Sequence, residues 1–100
     1  MNTTRLKAID GLKHIMLAAL NDHDAEVWLF GSCARDEVMQ HSDIDIAILP
    51  HGELPSAFFA LLEADIEDSS IPYDVDLVDL RRAASELLDE VRRQGIKWRD

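Results

Sequence analysis

The stretch that most constrains this chain is residues 43–49, "DIDIAIL". Its side chains alternate strictly, with Asp43, Asp45 and Ala47 on one side and Ile44, Ile46 and Ile48 on the other. Period-two alternation with β-branched residues predicts a strand whose isoleucines face a core. The same alternation then commits two carboxylates to the opposite face. Side chains two residues apart on a strand project about 6–7 Å from one another. Two like charges that close repel unless positive charge lies between them.

The rest of the chain supplies elements to cover that strand. Leu6, Ile9, Leu12, Met16 and Leu20 recur at helical spacing and predict a first helix from Thr3 to Leu20, with Thr3 or Thr4 as a cap. "AEVWLF" (25–30) reads as a strand with Trp28 in the core, Gly31-Ser32 as a turn, and "CARDEVM" (33–39) as a short helix. Pro55 is placed to start a helix carrying Phe58, Leu61, Leu62 and Ile66. "YDVDLVD" (73–79) alternates again, and Ala84, Leu87, Leu88 and Val91 mark a last helix stopped by Gly95. The order is αβαβαβα, which predicts an α+β fold of three or four strands in a short mixed sheet, in a single domain over residues 1–100.

Composition narrows the function. A net charge of −10 argues against holding nucleic acid by its phosphates. No apolar run approaches the ~20 residues of a membrane span, and the start lacks a signal peptide's apolar segment, so a cytoplasmic location is expected. A single cysteine, Cys33, excludes an internal disulfide and a cysteine metal cluster. Residues 1–80 carry 4 basic and 16 acidic groups, whereas residues 81–100 carry 6 basic and 4 acidic. The basic tail suits the end of a solvated helix, and its alternative use is a contact surface, with Trp98 exposed between Lys97 and Arg99.

Carboxylates in this spacing suit a hard cation. Mg²⁺ takes one or two carboxylates and completes its shell with water and phosphate oxygens. Gly31 allows backbone to approach a ligand closely, and helix-start amides together with the Ser32 hydroxyl suit an anion. Arg35 is one turn further on. A third acid is expected from the strand at 73–79. Asp76 is the candidate, with Asp74 the alternative if the register differs by two. Cys33 and His41 lie beside these residues, and each is better read as structural or solvated than as catalytic.

Gly31-Ser32, ten residues, then Asp43-Ile44-Asp45 resembles the GS-x10-DxD signature of the DNA polymerase β-like nucleotidyltransferases. "GSCAR" and "HSDIDI" match its fuller form, except that Asp36 stands where the family usually has glycine. The resemblance covers nearly the whole chain, including "RRQGIKW" as a closing helix and short last strand, and is nearest to the minimal nucleotidyltransferases (MNT). It implies two Mg²⁺ ions on Asp43, Asp45 and Asp76, and phosphates of an NTP, as ATP, held by Gly31, Ser32 and Arg35. It further implies AMP transfer to a hydroxyl of a helical HEPN partner, as an antitoxin. The rival expectations are a binding module that neutralises a HEPN protein by contact, and a small-molecule nucleotidyltransferase completed by a separate subunit.

Overall fold

The computed structural model describes residues 3–31 and 43–99. The helix expected over 33–39, with Cys33, and His41 beyond it, lie outside the described residues. The elements are α1 (Thr3–Ala19), β1 (Ala25–Phe30), β2 (Ile44–Pro50), α2 (Phe58–Asp68), β3 (Val75–Asp79), α3 (Ser85–Gln94) and β4 (Ile96–Arg99). The strands form one mixed sheet in the order β3-β2-β1-β4. β1 is antiparallel to both β2 and β4, and β2 is parallel to β3. A parallel neighbour requires a crossover, which α2 supplies.

The alternation in β2 divides the molecule as expected. Ile44, Ile46 and Ile48 are fully buried with Val27 and Leu29 against Ala8, Leu12 and Met16 of α1 and Leu62 and Ile66 of α2. Each such burial contributes about 1.5–3 kcal/mol. On the other face Trp28 and Ala47 pack with Leu80 and with Val91 of α3, flanked by Phe30, Leu49 and Val78. The expected fold class is therefore borne out.

Local expectations differ in four places. Thr3 and Thr4 are already helical, and the buried stripe of α1 runs 5-8-12-16, so Arg5 points inward at 1% exposure while Leu6 stands out at 54%. The buried guanidinium is placed 4.2 Å from the centroid of the Tyr73 ring, an arrangement that suits a cation on an aromatic face. α2 begins at Phe58, not at Pro55, because the Pro55 carbonyl accepts from the Phe58 N–H in a preceding turn; Leu61 then falls outside the 58-62-66 stripe and is exposed. Gly95 ends α3 with φ −73°, so no left-handed turn requires it. Glycine is needed because a Cβ there would come 2.5 Å from the Val91 carbonyl oxygen and 3.3 Å from the Leu29 carbonyl oxygen.

The fourth difference corrects the reading of the tail as a free contact surface. Trp98 is partly buried against the main core. Lys97 pairs with Glu26 at 3.0 Å and lies 5.3 Å from the Trp28 ring centroid. Arg99 donates to the carbonyls of Leu20 and, at 2.6 Å, His23, tying β4 to the turn after α1. These residues hold the fourth strand in place. Trp→Ala in a core costs about 3–5 kcal/mol. For the half-buried Trp98, Trp98→Ala is expected to cost about 2 kcal/mol in urea unfolding.

At the end of the sheet away from the acids, His51 Nε2 lies 2.7 Å from Glu26 Oε2 and its Nδ1 lies 3.3 Å from Asp24 Oδ1. Carboxylates only accept, so both contacts are satisfied together when the ring is protonated. The hydrogen bond to Glu26, reinforced by Asp24, raises His51 above the usual histidine range. Burial pushes Glu26 up, but hydrogen bonds from His51 and Lys97 outweigh it and hold Glu26 below its ordinary value. A histidine with a raised folded pKa contributes stability that is complete below its unfolded value of about 6.5 and is lost as pH rises through the folded one. Thermal melts from pH 5.5 to 9 are expected to show stability falling across neutrality, and His51→Ala to flatten that dependence.

Candidate active site

The acids gather at the edge where β1 ends and β2 and β3 begin. Asp45 sits opposite Phe30 of β1 and beside Asp76 of β3. Side chains in register share a face, so Asp45 and Asp76 project together, about 4.8 Å apart at the backbone. The Ile44 N–H donates to the Asp74 carbonyl at 2.9 Å, fixing that register where the strands enter. Asp43 immediately precedes β2 and is exposed, as is Asp76; Asp45 is half-buried. Asp74 is also exposed, but lines a groove with Glu63, Glu67, Tyr73 and Leu77 on the α2 side.

Gly31 follows β1 with φ +71°, a left-handed conformation, and its open side abuts Asp45. A Cβ there would stand 3.2 Å from the Asp45 carboxyl carbon and closer still to its Oδ2. The glycine is thus required twice, once by its backbone and once by the carboxylate. Ser32, Arg35 and Asp36 lie outside the described residues.

Like charges that share one face of a sheet repel unless positive charge lies between them. Among the described residues no three carboxylates or imidazoles converge as a ready-made metal site. The donor set nevertheless fits Mg²⁺, which needs one or two carboxylates and takes its other oxygens from water and phosphate. The close seat of Gly31 on Asp45 leaves room where a side chain would otherwise crowd those oxygens.

Residues 14–97 match the family described as polymerase beta, nucleotidyltransferase. The chain belongs to this family. It is 39% identical over 69 residues to the protein adenylyltransferase MntA of Shewanella oneidensis, covering 69% of this chain and 49% of that protein. The chain spans about half the length of that relative. Among solved structures, a chain of a toxin–antitoxin complex with AMP-PNP superposes with a TM-score of 0.67 at 32% identity, covering 86% of this chain and 71% of that one. A chain of the tri-AMPylated Shewanella oneidensis HEPN toxin in complex with its MNT antitoxin gives 0.61 at 30%, covering 89% and 70%. The expected kinship with minimal nucleotidyltransferases is therefore borne out.

The structure also brings in residues that the sequence reading did not single out. The end of α3, with Glu90, Val91 and Gln94, meets Phe30 and Gly31 across a cleft. The four-residue spacing of Glu90 and Gln94 was visible, but its target depends on β4 returning to β1. Gly31→Ala is expected to cost about 1–2 kcal/mol through the backbone alone, with the clash against Asp45 added. In a double-mutant cycle measured by urea unfolding, Asp45→Ala should relieve the clash and leave the backbone cost.

Proposed function

We propose that this protein transfers AMP from ATP to a hydroxyl of a HEPN-type partner. The observation that carries this reading is the pairing of Asp45 with Asp76 at the strand ends, against the side-chain-free flank of Gly31. Its support from relatives is the adenylyltransferase name of MntA and the AMPylated HEPN toxin found with an MNT antitoxin.

In this reading Asp43, Asp45 and Asp76 hold two Mg²⁺ ions. When bound, they supply positive charge that offsets the phosphates and the carboxylates alike. The backbone at Gly31, the Ser32 hydroxyl and the Arg35 guanidinium hold the β- and γ-phosphates. The acceptor hydroxyl forms a new bond to the α-phosphorus as the bond to the β-phosphate oxygen breaks, and pyrophosphate leaves. Asp76, on the outer side of the sheet from Gly31, receives the hydroxyl proton. Asp74 is the poorer candidate for that role because it lines the α2-side groove.

A second reading is a module that neutralises its partner by contact alone. It draws on Asp36, an acid where the family usually has a glycine, since negative charge near the phosphates weakens their binding. Incubation with a purified HEPN partner, labelled ATP and Mg²⁺ separates the two. AMP transfer is expected, abolished by Asp45→Asn with the complex still intact on size exclusion. A complex without label on the partner supports contact alone. Asp76→Ala is expected to lower kcat by about 10²-fold or more, the usual contribution of a general base, while changing nucleotide Kd far less.

A further inference from the structure

Among the described residues β3 is the end strand of the sheet, with β2 on its inner side. The Ile44 N–H donates to the Asp74 carbonyl and the Leu80 N–H to the Ile48 carbonyl, both at 2.9 Å. With Ile44 opposite Val75 and Ile48 opposite Asp79 in a parallel ladder, those bonds fix which backbone groups of β3 turn inward. Asp76 and Val78 bond to β2, so Val75 and Leu77 direct their N–H and C=O groups away from the sheet. An outward row of this kind is a template for one more strand.

The space beside that row is open. Between α2 and β3 lie two grooves of about 540 and 470 Å³, which share Glu63 and Leu77 and so form one trough along the strand. Its floor is apolar, from Ile66, Tyr73, Val75 and Leu77. Its rim at the Tyr73 end is acidic, with Glu63, Glu67 and Asp74 all exposed. Arg82 lies at the opposite end, where Arg81 is already paired with Asp79 at 2.8 Å.

The acids decide between occupants. Like charges along an edge reject acidic strands, and a second copy of this chain brings the same carboxylates and a net charge of −10. A basic strand is accepted instead. Side chains of an added strand point alternately to its two faces, so every second residue lies over the trough. Lys or Arg at those positions lays its hydrocarbon stem on the apolar floor and carries its charge to the acidic rim.

We infer that the β3 edge docks an extended basic segment of another protein, paired to Val75 and Leu77 with its Lys or Arg side chains over the trough beside α2. The inference concerns recognition and does not depend on the nucleotide site. Asp76 belongs to the same strand, so a protein docked this way lies alongside the acids.

Amide hydrogen exchange followed by NMR, on the protein without nucleotide and with short capped peptides that alternate lysine with valine or threonine, tests it. Exchange at Val75 and Leu77 is expected to slow by about tenfold or more in the complex, whereas Asp76 and Val78, already bonded to β2, keep their rates. Peptides with glutamate in place of lysine should not bind. Glu63→Gln combined with Glu67→Gln, at two exposed positions, should keep the fold and weaken the lysine peptides by about fivefold. Absence of binding overturns the docking site. So does binding that leaves exchange at Val75 and Leu77 unchanged or is indifferent to the two glutamines, since the charge attraction then lies elsewhere. Slowing of the same amides without peptide, rising with protein concentration, names a second copy as the occupant and overturns the basic segment. No transfer of AMP enters these measurements, so their failure leaves the proposed function standing.

Discussion

The double pairing of β2 is the constraint on which the other features depend. Its backbone is bonded to β1 on one side and to β3 on the other, and its isoleucines fill the core between the sheet and α1 and α2. A one-residue slip would turn Ile44, Ile46 and Ile48 to the other face and drive Asp45 into the apolar layer. Burying an unpaired carboxylate and exposing three isoleucines would together cost several kcal/mol. The register that aligns Asp45 with Asp76 is thus guarded by the hydrophobic face of the same strand. Geometry at the acids is set by residues that never touch a ligand.

Against that stability stands a local cost. Carboxylates are placed side by side on a chain of net charge −10, with a glycine in a left-handed conformation pressed against one of them. Burial of each isoleucine of β2, about 1.5–3 kcal/mol, holds the register against such a cost. Positive charge between the acids would make the arrangement more favourable. At the far end of the sheet, Glu26 is paired with His51 and Lys97.

Much of this was legible in local pattern. The alternation of β2 and β3 gave both faces of the sheet, and the spacing of Gly31 from Asp43 and Asp45 pointed to the site. What was not legible depended on partners distant in sequence. Arg5 looked like a surface residue because charge normally lies outside; its burial follows the 5-8-12-16 stripe and places it over the Tyr73 ring. Trp98, Lys97 and Arg99 looked like a free tail because their anchors, Glu26 and the carbonyls of Leu20 and His23, lie more than seventy residues earlier. The role of Gly95 was likewise hidden, since its reason is a close approach to another element and not a turn.

The last strand links these two sets of residues. β4 closes the outer edge of β1, and in doing so brings α3 back across Trp28 until its end reaches Phe30 and Gly31. The acids come from the middle of the chain, but the wall opposite them comes from its C-terminal part. Loop closure over such separations contributes nothing favourable until the distant contacts form. The wall opposite the acids is therefore held by long-range contacts, among them Lys97 with Glu26 and Arg99 with the turn after α1. A nucleotide held at the Gly31 turn would bind the folded sheet in preference to the unfolded chain, and so stabilise it by mass action.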